Sequence, residues 1–501
     1  MLPKTQNFIS NLNKKRIFIT LLALTAVTIC AEPSTSRPNI VFILIDDMPW
    51  WGTSVSQQAD NRQSTSIFRN TPNLEKLAAR GMTFSNAYAA AGMCTPSRAS
   101  IQTGLSPARH LLSGNGNFHD ENPLEVIYAL RSKDKGALLI PPAPMGHLDS
   151  KFTTIGEVMR KQGYATAHLG KWHVYGGGPE EHGYDISDGE TSNNEGAPKS
   201  GIAADDPKRI FSITERGIQF IEKQHEAGKP FFCQISHYVE HNAQMALPET
   251  LEAFENMAPI KAVQSKKYRR QTAGHGSAVK DLDTSIGLIL KRLDELGIRD
   301  NTYIVFTSDN GKGLYNGDDG ILRGSKWWLW EAGIRVPFIV EGPGVEPQSR
   351  NALNIVGYDM LPTFYEIAGG DPKELGDIDG TSILPLLKGE NPSSFDSRPL
   401  YFHYPHNRTS TPHSAIIKGD YKLLTFYEIP EFPHLFNLSI DLGEETNLAD
   451  QMPERAEAML NELNGYLYQY NAYFPKPNPN ADSRPRFDPE SKMPPLSRAP
   501  L

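Results

Sequence analysis

Cysteine is scarce in this sequence. The 501 residues contain three cysteines, Cys30, Cys94 and Cys233. So few cysteines exclude a fold that depends on a network of disulfide bonds. Stability therefore has to come from a hydrophobic core, for which the 39% hydrophobic content is sufficient. Cys94 and Cys233 could pair with each other, and the alternative is an unpaired thiol that needs a functional explanation.

An excess of positive charge is also missing. The 50 lysines and arginines are outweighed by 58 aspartates and glutamates, and the formal net charge is −8. This balance excludes a general electrostatic attraction to nucleic acids or to acidic membranes. If the substrate is an anion, the positive charge that binds it must come from a local cluster of side chains.

The apolar run near the N-terminus is short. It has 13 residues, Ile17–Ile29, and follows three basic residues. A run of this length is too short for a transmembrane helix and is typical of an export signal. We predict a signal peptide over residues 1–31, cleaved after Ala31, and an exported mature chain, periplasmic or secreted, with no transmembrane segment. Lipid attachment at Cys30 and an uncleaved anchor are the alternatives, but Ile29 is large where lipoprotein signals have a small residue.

Four near-continuous apolar runs predict strands that are buried on both faces of a sheet. They are Asn39–Ile45, Tyr164–Leu169, Phe231–Ser236 and Thr302–Thr307. Helical patterns lie between them, for example at Thr154–Gln162 and Ser277–Leu296. This alternation predicts an α/β fold, with a large, mostly parallel sheet sandwiched by helices, over residues 37–394.

A polar cluster follows each of these four runs. The clusters are Asp46-Asp47, Gly170-Lys171-Trp172-His173, His237 with His241, and Ser308-Asp309-Asn310-Gly311. One such cluster could be an ordinary turn. In open parallel sheets, however, ligands bind at the carboxyl ends of the strands, so four clusters predict one site along a single sheet edge.

The last quarter of the sequence has a different pattern. Residues Ala415–Lys418 and Tyr421–Tyr427 flank a Gly-Asp pair, which is typical of a hairpin, and Asp450–Tyr470 reads as an amphipathic helix. We therefore predict a smaller C-terminal antiparallel sheet with a packed helix over residues 395–475. A proline-rich extended tail is predicted for residues 476–501.

The segment Cys94-Thr95-Pro96-Ser97-Arg98, followed by Thr103-Gly104, carries the clearest functional signal. Pro96 favours a helix that starts close to Cys94, because the N–H that proline lacks would be unpaired in the first turn anyway. The N-terminus of a helix attracts anions through its free N–H groups and its dipole. Arg98, one turn later, could bind an oxygen anion with two nitrogens.

This segment resembles the signature of the type I, formylglycine-dependent sulfatase family of the alkaline phosphatase-like superfamily. The resemblance extends from about Arg37 to Ala449. It implies that the chain is a sulfuric ester hydrolase. It also implies that Cys94 is oxidised to formylglycine by a formylglycine-generating or sulfatase-maturating enzyme. A structural or metal-binding cysteine at the start of a helix is the alternative.

The resemblance further implies a site for one calcium ion. Asp46-Asp47 and Asp309-Asn310 stand where the family has two pairs of metal ligands, and residue 94 completes the set. Oxygen ligands without a pair of imidazoles suit a hard cation, Ca²⁺ rather than Zn²⁺. Two solvated turns are the alternative.

Two further blocks imply which residues bind the sulfate. Gly170-Lys171-Trp172-His173 resembles the block in which the lysine, here Lys171, contacts the sulfate. His173 would then hydrogen-bond a hydroxyl of the hydrated aldehyde. Lys326, in Leu-Arg-Gly-Ser-Lys, would be the second sulfate-binding lysine. A surface lysine packed on Trp172 is the alternative for Lys171.

His241 matches the histidine that follows the third predicted strand in the family. This chain has Val239-Glu240-His241 where the family often has Ala-Pro-His, so the local turn could differ. We predict that His241 is the proton donor, or a sulfate ligand, near the leaving oxygen. His237 is the competing candidate and would otherwise be a structural histidine.

The resemblance also implies a mechanism. One hydroxyl of the hydrated aldehyde attacks the sulfur, and deprotonation of the second hydroxyl later expels the sulfate. Arg98, Lys171, Lys326 and the cation would stabilise the charge on the sulfate oxygens.

For the substrate, the sequence predicts only a chemical class. An exported sulfatase of this kind resembles those that act on sulfated polysaccharides or oligosaccharides, such as algal galactans or glycosaminoglycans. Candidate sugar-binding side chains are basic or imidazole groups: Arg109, His110, His237, Arg323, His403 and His406. A packing patch between domains is the alternative for His403 and His406. The aromatic stretch at 327–330 could belong to the core or stack on sugar rings.

Two other functions stay open at this point. One is a phosphodiesterase or phosphonate hydrolase of the same superfamily, because phosphate and sulfate share a tetrahedral geometry. The other is a non-catalytic, carbohydrate-binding relative, which we would expect to have lost the cysteine or a metal ligand. The sequence retains Cys94 and both ligand pairs, which favours the sulfatase.

Overall fold

The computed structural model of the protein describes residues 37–114, 137–201, 203–242, 244–314, 320–407 and 410–481. The predicted signal peptide, Cys30 and most of the predicted tail lie outside the described residues. Within these ranges, no helix is both long and apolar enough to cross a membrane.

The strands are labelled in chain order. They are β1 Asn39–Ile45, β2 Met82–Phe84, β3 Ala87–Tyr88, β4 Leu139–Ile140, β5 Ala165–Gly170, β6 Ile186–Ser187, β7 Phe231–Ser236, β8 Thr302–Ser308, β9 Phe338–Glu341, β10 Ser349–Asn351, β11 Ile355–Val356, β12 Pro399–Tyr404, β13 His413–Lys418, β14 Tyr421–Phe426, β15 His434–Asn437 and β16 Lys476–Pro477.

The helices are also labelled in chain order. They are α1 Pro72–Ala79, α2 Cys94–Thr103, α3 Pro107–His110, α4 Ile155–Lys161, α5 Ile210–Glu226, α6 Pro248–Asn256, α7 Ala258–Ala262, α8 Lys266–Glu295, α9 Glu331–Ile334, α10 Met360–Ile367, α11 Leu384–Leu387 and α12 Pro453–Gln469.

Eight strands form the central sheet, in the order β10-β2-β9-β8-β1-β7-β5-β6. The four strands predicted from apolar runs are the adjacent β8, β1, β7 and β5, and they pair in parallel. β9 runs antiparallel to its neighbours β8 and β2. The predicted large, mostly parallel sheet is therefore confirmed.

Helices cover both faces of this sheet. Phe42 and Leu44 of β1 pack in a core that includes residues of α4 and α10. Val41 and Ile43 point to the other face and pack with residues of α5 and α8. Because alternate residues of a strand point to opposite faces, burial on both sides requires the near-continuous apolar runs found in the sequence.

One helix is longer than its pattern indicated. The prediction began at Ser277, whereas α8 begins at Lys266. Most of its first five residues are exposed, so they carry no apolar periodicity that could predict a helix.

The predicted C-terminal sheet and its helix are also confirmed. β12, β13, β14 and β15 form an antiparallel sheet, and β13 and β14 are joined at Gly419-Asp420. One face packs on α12 through Ile416 and Leu463, and the opposite face carries Leu424 in a cluster with Trp330. The domain boundaries at residues 394 and 475 stay predictions.

Candidate active site

The adjacent strands β8, β1, β7 and β5 place their polar clusters at one edge of the sheet. Asp46 and Asp47 follow β1, and Asp309 and Asn310 follow β8. The backbone N–H of Asp309 donates to the carbonyl of Ile45, which continues the strand pairing into the site. The metal-ligand candidates are therefore positioned by the parallel sheet itself.

Cys94 is the first residue of the buried helix α2. The loop before it is fixed by Ser97, whose hydroxyl accepts from the N–H of Ala91 at 3.0 Å and donates to its carbonyl at 2.9 Å. The helix ends at Gly104, whose φ of 69° is the left-handed conformation that favours glycine. The predicted helix start at Cys94 is what the structure has, and it directs residue 94 toward the aspartates.

Three carboxylates and the thiol converge on one point. Ligand atoms of Asp46, Asp47, Cys94 and Asp309 all lie within 4.8 Å of one another. The Cys94 sulfur lies 3.2 Å from Oδ1 of Asp46 and 3.7 Å from Oδ1 of Asp47. The amide oxygen of Asn310 is buried and has no hydrogen-bond partner among the described residues. This donor set fits a hard cation, because carboxylate and amide oxygens dominate it.

Asp47 has an unusual backbone conformation. Its φ is 65°, in the left-handed region that residues other than glycine seldom adopt. Its N–H donates to Oδ1 of Asp309 at 3.2 Å, and its Oδ1 accepts from the amide of Asn310 at 2.8 Å. These bonds compensate for the backbone strain and fix the two ligand pairs relative to each other.

Three basic side chains are paired with these carboxylates. Lys171 contacts Asp46 at 2.6 Å, and both side chains are fully buried. Arg98 contacts Asp309 at 2.7 Å.

Lys326 contacts Asp47 at 2.6 Å and the sulfur of Cys94 at 2.9 Å. The family resemblance implies that these three basic residues act on the sulfate together, and the structure brings all of them to the same point. Three basic groups are thus gathered here, each paired with a carboxylate, in a chain that is acidic as a whole.

Burial and charge act in opposite directions on the acidic groups. Burial raises the pKa of Asp46, but the charges of Lys171, His241, Lys326 and Arg98 outweigh it and hold that pKa well below its usual value.

For Asp309, burial prevails over the charge of Arg98 and the pKa is raised. Burial, with the carboxylates of Asp309 and Asp46, raises the pKa of the Cys94 thiol well above its usual range.

His173 lies beside this cluster. Its φ of 58° is left-handed, and its Nε2 lies 3.5 Å from the side-chain nitrogen of Asn193. Burial, followed by the charges of Lys171 and Arg98, lowers the pKa of His173 well below its usual value. Among the described residues, its Nδ1 has no hydrogen-bond partner.

The two histidines after β7 differ in their surroundings. His241 lies close enough to Asp46 and Asp47 for their charges to act on it, although burial prevails and lowers its pKa to about 4. Its Nδ1 lies 3.1 Å from the carbonyl of Asn242, which leaves Nε2 as the nitrogen that can face a ligand. His237 is fully buried, and in the described part of the chain neither of its ring nitrogens has a hydrogen-bond partner.

Two features near His241 were not predicted. Lys208 is buried, and its ammonium donates to the carbonyl of His241. Glu240 is buried and pairs with Arg69 and His275. The sequence shows glutamate at position 240, where the family often has proline. It does not indicate the pairing with Arg69, which lies 171 residues away.

Two candidate sugar-binding residues, Arg109 and His110, make contacts within the protein. Arg109 pairs with Asp377 and Asp379. His110 is buried and lies 3.0 Å from the hydroxyl of Ser100. Their role as sugar contacts, together with that of His237, stays a prediction.

Arg323, His403 and His406 also make contacts within the protein. The guanidinium of Arg323 lies 3.9 Å from the ring centre of Trp330. His403 is buried between the hydroxyl of Ser414, at 2.7 Å, and the carbonyl of Tyr473. His406 is also buried and lies 3.0 Å from the hydroxyl of Ser113. The contact of His406 crosses to the predicted catalytic domain, as the packing alternative implies, whereas both contacts of His403 lie within residues 395–475. A sugar-binding role for these residues stays a prediction.

The aromatic stretch divides into core and half-buried residues. Trp330 is fully buried in the core. Trp327 and Trp328 are half-buried, and Trp327 follows Lys326 directly. The indole N–H of Trp327 donates to the sulfur of Met93, the residue before Cys94. Trp327 therefore contacts the segment that carries residue 94.

Comparisons with known proteins agree with this geometry. Residues 38–370 match the sequence model of a family described as Sulfatase. Residues 323–472 match a second model, described as N-sulphoglucosamine sulphohydrolase, C-terminal. The first match covers more than half of the chain and includes every residue of the cluster around Cys94.

Relatives and solved structures are similar over most of the chain. N-acetylgalactosamine-6-sulfatase of Mus musculus is 29% identical over 438 residues, covering 80% of this chain and 74% of that protein. An ulvan-active sulfatase of Formosa agariphila is 27% identical over 472 residues, covering 88% and 82%. The crystal structure of Ps i-CgsB in complex with k-i-k-neocarrahexaose has a TM-score of 0.68 at 24% identity, covering 87% of this chain and 95% of that chain. At this identity the structural similarity shows a shared fold.

Proposed function

The chain belongs to the sulfatase family, whose members are sulfuric ester hydrolases, and from this premise we propose that it removes a sulfate group from a carbohydrate. The single observation that carries the proposal is the position of residue 94. It starts helix α2 and lies among three carboxylates and the ammonium of Lys326. A cation site and a cluster of basic groups therefore meet at one side chain, as an anionic ester requires.

We infer that Cys94 is converted to formylglycine and that Asp46, Asp47, Asp309 and Asn310 hold one calcium ion beside it. The unpaired amide oxygen of Asn310 and the three converging carboxylates support the metal. When bound, the ion would stabilise negative charge on the sulfate oxygens and acidify a hydroxyl at residue 94. The conversion requires a maturating enzyme as a partner, and the predicted signal peptide supports an exported, periplasmic or secreted enzyme.

The basic side chains would bind and orient the sulfate group. Lys171 and Lys326 are paired with Asp46 and Asp47, so each is already held at the site before an anion arrives. Arg98 is held by Asp309, and its second terminal nitrogen has no hydrogen-bond partner among the described residues. Side chains that are preorganised in this way stabilise charge in the transition state without a cost of reorganisation.

The two site histidines would serve the hydroxyl groups. His173, at the cluster, would hydrogen-bond a hydroxyl at residue 94. The carbonyl of Asn242 favours a proton on Nδ1 of His241, so that Nε2 donates only when the ring is protonated. An anionic sulfate bound nearby favours the protonated ring. In the overall reaction the bond between sulfur and the sugar oxygen breaks, water supplies the new oxygen on sulfur, and the sugar oxygen takes up a proton.

A sulfated carbohydrate is the substrate class that the comparisons support. The similar proteins include an ulvan-active sulfatase, an N-acetylgalactosamine-6-sulfatase and a structure in complex with an oligosaccharide, k-i-k-neocarrahexaose. Half-buried Trp327, next to Lys326, offers a flat apolar face where a sugar ring could stack.

Mass spectrometry of residue 94 tests the proposal first. Trypsin releases residues 81–98 as one peptide with a single cysteine, and conversion to formylglycine makes this peptide lighter. We expect the lighter mass in protein produced with a maturating enzyme, together with turnover of a sulfated oligosaccharide. An unmodified cysteine in active protein would contradict the proposal.

An assay of matched aryl esters separates the rival chemistry. We expect hydrolysis of the aryl sulfate to exceed that of the aryl phosphate or phosphonate. A clear preference for phosphate or phosphonate would indicate the other branch of the superfamily. Binding of sulfated sugars without turnover of any ester by fully converted protein would indicate a non-catalytic relative.

A further inference from the structure

Glu240 forms a buried charge cluster next to His241. Its Oε2 accepts from Nη2 of Arg69 at 2.8 Å and lies 2.8 Å from Nδ1 of His275. The three side chains are at most 2% exposed. A buried carboxylate is unfavourable unless it is paired, so these contacts restrict the position of Glu240 strongly.

Part of the cluster makes no further hydrogen bond. The remaining carboxylate oxygen of Glu240 and the Nε and Nη1 of Arg69 have no hydrogen-bond partners among the described residues. Arg69 lies in the loop before α1, and His275 lies on α8. Two separate elements therefore converge on one side chain, and that side chain belongs to the turn that carries His241.

This turn is also fixed to the end of β1. The N–H of Asp46 donates to the carbonyl of Val239 at 2.8 Å, and the N–H of Glu240 donates to the carbonyl of Asp46. The N–H of His241 donates to the carbonyl of Tyr238 at 3.0 Å, which closes the turn. A shift of Glu240 would consequently move the backbone of His241.

Lys208 holds the same turn from another direction. Its buried ammonium donates to the carbonyl of His241. Lys208 and the following residue, Arg209, both have left-handed φ angles, of 57° and 55°. Unfavourable backbone conformations of this kind persist only where surrounding contacts compensate for them.

We propose that Glu240 is a positioning residue that keeps His241 directed at the reacting group, through its ion pair with Arg69 and its hydrogen bond with His275. The inference rests on the proposed function, in which His241 serves the leaving oxygen or the sulfate. Where the family often has a proline, whose ring restricts the backbone, this chain restricts the same turn by a buried charge cluster. Glu240 itself contacts neither Cys94 nor the lysines of the site.

A double-mutant cycle tests this role. Glu240→Gln, His241→Ala and the double variant are compared by kcat and KM on a sulfate ester that the wild type hydrolyses. We expect Glu240→Gln to lower kcat by up to about 10²-fold, since misplacing a reacting group by a small distance costs this much. If Glu240 acts through His241, the double variant is no slower than His241→Ala. Losses that multiply in the double variant would overturn the proposal.

Glu341 provides the matched control. It is another buried carboxylate, at the end of β9, and it pairs with Arg80 and Arg299. Glu341→Gln makes the same chemical change away from the site. We expect Glu341→Gln to lower thermal stability. It should leave kcat unchanged both in the wild-type background and in the His241→Ala background.

Two further measurements keep the outcome decisive. If Glu240→Gln does not fold, a variant with Arg69→Met and Glu240→Met removes both charges at once and takes its place in the cycle. If the wild type hydrolyses no sulfate ester, the proposed function fails. The rate at which His241 is carbethoxylated then tests the positioning role of Glu240 by itself. A rate at His241 that differs between the wild type and Glu240→Gln supports positioning, and an unchanged rate overturns it.

Discussion

The ammonium group of Lys326 lies 2.9 Å from the sulfur of Cys94 and 2.6 Å from the carboxylate of Asp47. One basic group thus contacts both the proposed nucleophile position and a proposed metal ligand. Such an arrangement places positive charge where an anionic ester has to bind, without using a surface residue. Residue 94 is the centre of this arrangement.

Replacing Cys94 by serine should abolish turnover as long as residue 94 stays serine, because a sulfate ester of serine lacks the second hydroxyl whose deprotonation expels the sulfate. We expect kcat to fall by more than about 10³-fold, as for the loss of other essential nucleophiles. The measurement is hydrolysis of a sulfate ester over many turnovers. Full multiple-turnover activity in Cys94→Ser protein whose residue 94 is still serine by mass would reject the formylglycine mechanism.

Cys233 offers the control within the same chain. It is fully buried in β7, away from the cluster, and burial raises the pKa of its thiol to about 12. We expect Cys233→Ala to lose some stability through the cavity it creates and to retain kcat.

Removing calcium should lower both activity and thermal stability. In the proposed site, a bound cation would compensate the buried carboxylates of Asp46, Asp47 and Asp309. A ligand that binds the folded state stabilises it by about 2.7 kcal/mol at 100 times its Kd. We expect a chelator to lower Tm and activity, and added Ca²⁺ to restore both. Activity that survives complete demetallation would reject the metal assignment.

Lys171→Met makes the metal prediction sharper. Without its lysine, Asp46 is a buried charge that has lost its strongest favourable partner, a change that typically costs about 3–5 kcal/mol. We expect a large loss of Tm without calcium and a partial recovery with it, while kcat stays lower by about 10²–10³-fold. Lys422→Met is the control, because Lys422 is an equally buried lysine paired with Glu331, away from the metal site. Its loss of Tm should not respond to calcium.

The sequence predicted the parts of the fold that depend on local patterns. The four central strands carry apolar runs because both of their faces are buried, and the start of α2 is marked by Pro96. The pairing of Glu240 with Arg69 and His275 could not be predicted, because these partners lie 171 and 35 residues away. Likewise, the burial of His403 depends on the packing of β12 against a distant segment.

The stability of the C-terminal sheet should depend on pH through Glu444. Burial raises the pKa of Glu444 to about 7 from an ordinary 4.5, although Lys422 lies 2.8 Å away and lowers it. A raised carboxyl pKa means that the folded state binds the proton more tightly, so stability is lost as the pH rises from about 4.5 through 7. We expect Glu444→Gln to remove this part of the pH dependence in urea unfolding measured between pH 5 and 8. The exposed neighbour variant Glu445→Gln should retain the wild-type profile, and an unchanged profile in Glu444→Gln would reject the prediction.

Trp327 should distinguish large substrates from small ones. Its half-buried indole contacts Met93 and lies next to Lys326, so it can stack on a sugar ring while the sulfate occupies the cluster. Stacking on an aromatic ring contributes about 0.5–1.5 kcal/mol, which corresponds to a rise of up to roughly 10-fold in KM when it is lost. We expect Trp327→Ala to raise KM for a sulfated oligosaccharide and to leave KM for a small aryl sulfate nearly unchanged. Trp328→Ala is the comparison, because Trp328 packs against His413 and Phe426 of the C-terminal sheet. If both variants raise KM equally for both substrates, Trp327 is a packing residue and the sugar is bound elsewhere.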